Sequence, residues 1–426
     1  MKKIVLLGPG PCFKGGIAHY NTSLALALEK TGQCEVHIVS WTQQYPSIIP
    51  RDFLDRKSKA SPLDGTSITT RYVLNYNNPY TWYKTCRIIR ALNPDVCIVQ
   101  WSISLQGLPL GLIIRNLKKH GIRVGIELHN VKQKENSAID AFLTRLGIGQ
   151  ADFYIAHGQL TIKELQEIFP FRKYEIILPD GQNPSGCCPF IIKLYHPVYN
   201  MFRRVEPFDA TGEKERMGLK RHVFLFFGFI RKYKGLHHAI EAFALLASRR
   251  DDVSLLIVGE SFWQTLDNKK LTVRLKQFLF GLVKKIFLRR ADDEQNYRPL
   301  DLIRRYHLEH CVKVVNEFVP NEEVYKYFQV ADALLLFYTY ATPSGVESIA
   351  YNFGIPVVAT RVGNFSETIQ EGVTGYLAEP GDIRSMAEAM EKIIHQPLER
   401  SKIEKHASLL SWERYSGSIL RTLFPS

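Results

Sequence analysis

Two cations, Arg231 and Lys234, closely follow an apolar run at residues 223–227 and precede an amphipathic segment. The run predicts a buried strand. In open α/β sheets, ligands bind at the edge formed by the carboxyl ends of the strands. Two fixed cations in the loop that starts at Gly228 would therefore neutralise a diphosphate there. A solvated basic loop is the alternative interpretation.

A second candidate phosphate site begins at Ser344-Gly345-Val346, where a helix is predicted to follow a strand at residues 333–337. Free N–H groups and the positive end of the helix dipole favour an anion at such a position. Glu347 is the next residue of this helix, and a later loop places Glu367 beside the same edge of the sheet. Ser344 also fits the role of N-cap, and the two roles are compatible.

Glycines also follow the first predicted strand, at residues 3–7. Gly15 and Gly16 precede a helix, so the backbone there could approach a ligand closely. Their spacing is not the G-x-G-x-x-G of a dinucleotide site, and the acid expected about 20 residues later is missing, which argues against an NAD enzyme. A tight turn without a ligand stays equally open.

Short apolar runs that alternate with helix-period segments must position these loops. The runs fall at residues 3–7, 35–40, 95–101, 123–128 and 152–156, and again at 223–227, 253–258, 312–315, 333–337 and 356–359. This rhythm is typical of parallel βαβ units and predicts two doubly wound sheets. The turn-forming segments at residues 179–189 and 372–377 are predicted loops, and residues 197–222 are the predicted linker.

The composition fits a folded protein of two domains. The chain has 426 residues, of which 45% are hydrophobic, and a formal charge of +13. That charge suits an anionic partner, and by itself it leaves nucleic acid, phosphate-bearing molecules and acidic lipids open.

No apolar run approaches the roughly 18 to 20 residues of a membrane span, and no signal peptide is evident, so we expect a cytoplasmic protein. The seven scattered cysteines predict reduced thiols, although the adjacent pair Cys187 and Cys188 could be a redox or metal feature.

Several segments together resemble the family-four glycosyltransferases, which have the GT-B fold of two Rossmann-like domains facing a cleft. The similar segments are GGIAHY, LHN, YHPVYNMF, FFGFIRKYKG, LLIVGE and SGVESIAYNFGIPVVATRVGNFSETIQEGVTGYL. They extend over nearly the whole chain. The nearest likeness is to bacterial enzymes that build surface polysaccharides, such as lipopolysaccharide, or lipid-linked glycans.

The resemblance implies a role for each candidate residue. Arg231 and Lys234 would hold the donor diphosphate, together with the amides of Gly345 and Val346. His129, after the strand at residues 123–128, would lie beside the donor sugar. Charge stabilisation of the departing diphosphate would take the place of a metal, so we expect neither metal nor cofactor. The other donor-binding candidates are Gly15, Gly16, Gly228, Ser344, Glu347 and Glu367.

The main departure from the family pattern concerns its Glu-x7-Glu pair. Alignment of the helix before Gly354 places Ala341 and Ile349 at the two acidic positions. Glu347 lies about 200° around the helix from position 349, which makes it a poor substitute. This loss leaves a non-catalytic sugar-nucleotide-binding subunit open as an alternative to an enzyme.

The sequence thus predicts a retaining, metal-independent glycosyltransferase. Residues 1–200 would form the acceptor domain, 201–403 the donor domain, and 404–426 a helix that crosses back to the first domain. The expected partners are a UDP- or GDP-linked sugar and a glycan or lipid-linked acceptor, with no nucleic acid. A sugar-nucleotide epimerase of the same fold is the other alternative.

An insertion at about residues 262–297 has the composition of a membrane-facing helix. From Lys269 to Arg290 it carries eight basic residues and no acidic one. Apolar residues follow helical spacing on one face: Leu271, Leu275, Phe278, Leu279, Leu282 and Ile286. Basic amphipathic helices bind anionic membrane surfaces. This segment predicts peripheral contact with the inner face of the membrane, and an ordinary surface helix is the alternative.

Overall fold

The computed structural model describes residues 1–46, 53–132, 137–179, 181, 183–261 and 296–425. It divides into two compact units. Unit 1 comprises Met1–Pro197 and Leu410–Ser426, and unit 2 comprises Val198–Leu409. The basic insertion from Lys269 to Arg290 lies outside the described residues.

Unit 1 is built on an eight-stranded parallel sheet with the order β3-β2-β1-β4-β5-β6-β8-β7. Its strands are β1 Lys2–Leu7, β2 Cys34–Gln43, β3 Thr69–Asn75, β4 Val96–Trp101, β5 Arg123–Leu128, β6 Phe153–Ala156, β7 Glu175–Ile177 and β8 Phe190–Lys193. Its helices are α1 Gly16–Lys30, α2 Pro79–Leu92, α3 Gly107–Lys119, α4 Ala138–Ile148 and α5 Gln159–Ile168, with α14 Trp412–Leu423 from the end of the chain.

Unit 2 is built on a six-stranded parallel sheet with the order β11-β10-β9-β12-β13-β14. Its strands are β9 His222–Phe227, β10 Val253–Val258, β11 Val312–Val315, β12 Ala333–Leu336, β13 Val357–Thr360 and β14 Gly375–Ala378. Its helices are α6 Ala210–Arg216, α7 Leu236–Ala247, α8 Asp301–Arg305, α9 Val324–Gln329, α10 Gly345–Asn352, α11 Phe365–Thr368, α12 Ile383–His395 and α13 Arg400–Leu409.

The strand order of each sheet reverses at one point. In unit 1 the chain moves outward in one direction from β1 and in the other from β4, and in unit 2 the two innermost strands are β9 and β12. Loops at the carboxyl ends of such strands splay apart and leave room for a ligand. The predicted α/β fold of two doubly wound, Rossmann-like units is confirmed.

Four strands were absent from the sequence prediction: β3, β7, β8 and β14. The prediction of a loop at residues 372–377 was wrong, because Gly375–Ala378 pairs in parallel with β13. Gly375 permits this close approach, since a side chain there would lie 2.0 Å from the Val357 carbonyl oxygen. The strand is only four residues long, and the turn-forming residues directly before it made the whole segment look like a loop.

The C-terminal segment forms two helices where one was predicted from residue 404. The first, α13, belongs to unit 2, and the second, α14, belongs to unit 1. Ser411 caps α14 by accepting a hydrogen bond from the backbone N–H of Arg414. Trp412 is buried, as are Ile419 and Leu423 on the same helix. Burial of this face holds α14 in unit 1.

In the part of the chain that the structure describes, none of the helices combines the length and the apolar composition that a membrane span needs.

Candidate functional site

The loop after β9 carries Lys234 into the interior of unit 2. The chain turns at Gly228, with φ 98°, and forms a short 3₁₀ turn at Lys232–Lys234. Gly235 then adopts a left-handed conformation, and a side chain on it would lie 1.8 Å from the Phe337 carbonyl oxygen. Glycine at position 235 therefore lets the loop pack tightly against the end of β12.

Contacts around the Lys234 ammonium join the ends of β9 and β12. Lys234 is only 9% exposed, and its Nζ lies 5.8 Å from the centre of the Tyr338 ring. The Tyr338 hydroxyl lies 3.4 Å from Oγ of Ser344. A side chain on Gly228 would lie 3.0 Å from Lys234 Nζ and 3.5 Å from Val346 Cγ2. Lys234, Gly228 and the start of α10 thus surround one point, beside the reversal of strand order.

The first turn of α10 presents backbone N–H groups at this point. Its first residues, Gly345 and Val346, have no hydrogen-bond acceptor within the helix. Ser344 makes no side-chain capping bond to them, so its hydroxyl does not act as the N-cap. Gly345 packs against Tyr199, whose Cε2 would lie 2.6 Å from a Cβ atom at that position. The start of α10 therefore presents amides beside a buried cation, an arrangement that can hold an anion.

Arg231 lies at the beginning of the same loop and is partly exposed. Its guanidinium lies over the ring of Tyr233 at 5.9 Å, and its carbonyl oxygen accepts a hydrogen bond from the Lys234 N–H. This places Arg231 and Lys234, with the exposed Lys232 between them, within four residues at the carboxyl end of β9. Arg231 is therefore partly accessible to solvent, whereas Lys234 is buried.

The two acidic candidates lie on α10 and α11. Glu347 is buried in the first turn of α10, and burial raises the pKa of its carboxyl to about 7, against hydrogen bonds from Thr368 and Tyr351. Among the described residues its Oε1 has no hydrogen-bond partner. Glu367 is partly exposed on α11, one residue before Thr368. The contact with Thr368 brings α11 against the start of α10.

The two positions that align with the family's acidic pair are occupied by buried apolar side chains. Ala341 has no exposed surface and Ile349 is 5% exposed. Neither side chain can form a hydrogen bond. Glu347 is on the same helix as Ile349, but its carboxyl accepts hydrogen bonds from Thr368 and Tyr351 in the interior of the unit.

In unit 1, His129 follows β5 and lies against α1. Its Nε2 is 2.7 Å from Oε1 of Gln100, and its ring centre lies 4.9 Å from that of Tyr20. Desolvation, followed by the nearby His196, lowers the pKa of His129 to about 3. The imidazole is therefore neutral at physiological pH and can hydrogen-bond without carrying charge.

The glycines of the β1–α1 loop lie in the same unit. Gly15 has φ 104° and directly precedes α1, and Gly16 is exposed at the helix start. Gly8, at the end of β1, has no side chain, and this leaves space for Gln100: a Cβ there would lie 2.4 Å from Gln100 Cγ. The loop and His129 therefore both lie at the end of β1 and β4, where the strand order of this sheet reverses.

A buried polar network beneath His129 was missed by the sequence analysis. Oε1 of Glu127 accepts a 2.8 Å hydrogen bond from the Tyr415 hydroxyl and lies 3.2 Å from Nε2 of His157. The Tyr20 hydroxyl donates to Tyr415 at 2.6 Å. Burial raises the pKa of Glu127 to about 8 and lowers that of His157. One signal was available, because Glu127 is a single acid within the apolar strand β5.

Each unit thus assembles its own group of candidates. Unit 2 brings together Gly228, Lys234, Ser344, Gly345 and Val346, with Arg231 in the same loop and Glu347 behind them. Unit 1 holds His129, Gly15 and Gly16.

A family model described as "Glycosyl transferases group 1" matches residues 208–409. These residues are nearly all of unit 2, including both loops around Lys234. The match supports the family resemblance of the sequence motifs in this half of the chain.

Curated relatives agree with this assignment. A 2-deoxystreptamine glucosyltransferase of Streptomyces kanamyceticus is 26% identical over 194 residues, which are 45% of this chain and 42% of the relative. An N-acetyl-alpha-D-glucosaminyl L-malate synthase of Bacillus anthracis is 24% identical over 268 residues, 62% of this chain and 56% of the relative. The chain therefore matches about half of the length of these relatives.

Among solved structures, the Anabaena protein HepE in complex with UDP and glucose has a TM-score of 0.67 and 16% identity. The similarity covers 99% of both chains. It extends over both Rossmann-like units, as the predicted GT-B fold requires. Residues 208–409 of the chain therefore match the family domain of the group 1 glycosyl transferases.

Proposed function

We propose that the protein is a retaining, metal-independent glycosyltransferase that uses a nucleotide-sugar donor. One observation carries the proposal: the buried Lys234 ammonium and the start of α10 surround one point beside the strand reversal of unit 2. Lys234 and Arg231 would neutralise the charge of a diphosphate bound there. The amides of Gly345 and Val346 would donate hydrogen bonds to it.

This arrangement favours departure of a nucleoside diphosphate. When the bond from the anomeric carbon to the phosphate oxygen breaks, negative charge increases on that oxygen. Cations and amides already in place stabilise the increased charge more than that of the ground state, and this lowers the barrier. A buried ammonium acts strongly here because little water screens it.

The proposed role of His129 is to contact the donor sugar. A neutral imidazole can hydrogen-bond a sugar hydroxyl beside an oxocarbenium-like centre without adding repulsive charge. The acceptor hydroxyl would attack the anomeric carbon from the face that the phosphate leaves, and its proton would pass to the departing phosphate. No protein base is assigned. Gly15 and Gly16 are proposed to approach the ligand from the β1–α1 loop.

We propose a UDP- or GDP-linked sugar as donor and a glycan or lipid-linked molecule as acceptor. The UDP and glucose in the HepE complex, and the glucosyl transfer named for the Streptomyces relative, support a donor of this class. We place the reaction in the cytoplasm. Membrane contact through Lys269 to Arg290 stays a prediction, because that segment lies outside the described residues.

A second candidate function is a sugar-nucleotide-binding subunit without catalysis. The buried apolar side chains of Ala341 and Ile349 favour it, since they remove two acids that the family pattern places near the donor. Such a subunit would bind the nucleotide sugar through Lys234 and yet leave it intact.

We expect purified protein, incubated with UDP- or GDP-sugars and in excess EDTA, to release the nucleoside diphosphate. The anomeric configuration of the donor should be kept in the product, which NMR of the new glycosidic linkage reports. Where no acceptor is known, slow hydrolysis of the donor serves as the readout.

Binding of a nucleotide sugar without release of diphosphate would establish the non-catalytic subunit. Loss of activity in EDTA that manganese restores would refute metal independence, and an inverted product would refute the retaining mechanism.

A further inference from the structure

The outer face of α3 in unit 1 carries a stripe that changes from apolar to basic along the helix. Leu108, Leu112, Arg115 and Lys119 follow one another at intervals of four, three and four residues, so they lie on one side of the helix. Leu108 and Leu112 are each 43% exposed. Exposed leucines one turn apart, in line with two cations, distinguish this face from an ordinary charged helix surface.

The neighbouring helix α4 extends the apolar part of this surface. Two glycines of α3 allow the close packing: a side chain on Gly107 would lie 2.1 Å from the Leu143 carbonyl oxygen, and one on Gly111 would lie 2.4 Å from that of Leu146. On α4, Ile139 is 54% exposed and Phe142 is 63% exposed. Four large apolar side chains are therefore exposed on two helices in close contact.

A basic pocket of about 570 Å³ lies at the carboxyl end of α3. Arg115, Lys118, Lys119 and Arg172 line it. Lys118 is paired with Asp152 at 2.7 Å. In the part of the chain that the structure describes, neither Arg115 nor Lys119 has an acidic partner.

The opposite wall of the pocket is held in place by aromatic contacts. Arg172 donates a 3.2 Å hydrogen bond to the Tyr154 hydroxyl, and its guanidinium lies 4.8 Å from the centre of the Phe169 ring. Beside it, the side chain of Phe171 is fully exposed. The pocket is thus lined by a cation that aromatic contacts hold in place, next in sequence to an exposed apolar side chain.

We propose that this surface binds an anionic lipid bilayer. We call it the docking face and define it by Leu108, Leu112, Arg115, Lys119, Ile139 and Phe142. Lipid phosphates would lie against the cations, while the leucines and Phe142 enter the boundary between headgroups and acyl chains. Charge complementarity selects this partner, because an anionic bilayer offers phosphates to the basic pocket and acyl chains to the adjoining exposed apolar side chains.

Binding to a bilayer would hold unit 1 at the surface where a lipid-linked acceptor resides. The proposal rests on residues of α3 and α4 and is independent of the insertion from Lys269 to Arg290. It is also independent of the donor site, since the docking face can bind vesicles without a nucleotide sugar.

The test is co-sedimentation of the full chain with vesicles of phosphatidylcholine, with or without about 30% phosphatidylglycerol. We expect binding to the anionic vesicles and weak binding to the neutral ones. Arg115→Glu/Lys119→Glu should lower the partition coefficient at least about tenfold. The matched control, Arg384→Glu/Lys405→Glu, makes the same charge change at exposed positions of unit 2 and should bind as the wild type does.

A second variant, Leu112→Ser/Phe142→Ser, should also lose binding while it keeps its melting temperature within a few degrees. Equal binding of the wild type and the Arg115→Glu/Lys119→Glu variant would overturn the proposal, as would an equal loss in the control. Absence of wild-type binding, together with a concentration-dependent dimer that Leu112→Ser/Phe142→Ser disrupts, would instead assign the face to a second copy of the chain.

Discussion

Replacement of Lys234 by alanine should lower kcat by about 10²-fold or more. Lys234 is the buried cation at the point shared by Gly228 and the start of α10. The Lys234 ammonium stabilises the negative charge that increases on the leaving diphosphate in the transition state. Its removal therefore destabilises the transition state more than the ground state, and kcat falls more than the affinity for the donor. Arg231→Ala should have an effect of the same order.

Lys232 provides the matched control, because it is an exposed cation of the same 3₁₀ turn. Lys232→Ala removes the same charge and should leave kcat within about threefold of the wild type, as expected for a solvent-screened group. Steady-state rates of diphosphate release give the comparison. If Lys234→Ala turns over as fast as Lys232→Ala, the assignment of the donor site is wrong.

Replacement of Glu127 by glutamine should make unit 1 more stable at pH 8 than the wild type. The folded-state pKa of Glu127 is about 8, above the ordinary value of 4.5. Between these values the unfolded chain releases a proton that the folded chain retains, so the wild type loses stability as the pH rises. Glutamine keeps the acceptor for the Tyr415 hydroxyl and cannot ionise.

The advantage of Glu127→Gln over the wild type should therefore grow between pH 5.5 and pH 8, by on the order of 2–3 kcal/mol. Urea unfolding followed by tryptophan fluorescence measures it, since four of the five tryptophans belong to unit 1. The lowered pKa values of His129 and His196 act in the other direction, because stability is lost as the pH falls below their ordinary range.

Glu167→Gln is the control for this experiment. Glu167 is an exposed carboxylate of unit 1 whose pKa is lowered by a hydrogen bond from Lys132. Its replacement should give no stability gain at alkaline pH. A Glu127→Gln variant with the same pH dependence as the wild type would show that Glu127 is ionised in the folded protein.

The sequence was sufficient to predict the part of the fold that positions the candidate site. Apolar runs such as residues 253–258 are buried on both faces of a parallel sheet, so their apolar composition alone identifies them as strands. Glycine and charged residues after the runs at 3–7 and 223–227 identified the loops at the two points of strand reversal. These are local patterns, and tertiary packing reinforces them.

Elements that depend on tertiary contacts escaped prediction. The edge strand β3 is buried only at Leu74, and it has no apolar run longer than three residues. The hydrogen bond from Tyr415 to Glu127 joins residues 288 positions apart in sequence, and a pairing pattern cannot reveal it without coordinates. The same holds for the docking face, because exposure of Leu108 and Phe142 follows from how α3 and α4 pack.

The most direct test of the account is calorimetric titration of UDP and GDP, in EDTA, into the wild type, Lys234→Ala and Lys232→Ala. The central claim is that the loop after β9 and the start of α10 hold a nucleoside diphosphate. We predict that one of the two nucleotides binds the wild type and Lys232→Ala with similar affinity, and that Lys234→Ala binds it at least about tenfold more weakly. Equal affinity of all three proteins, or no binding of either nucleotide to the wild type, would contradict the account.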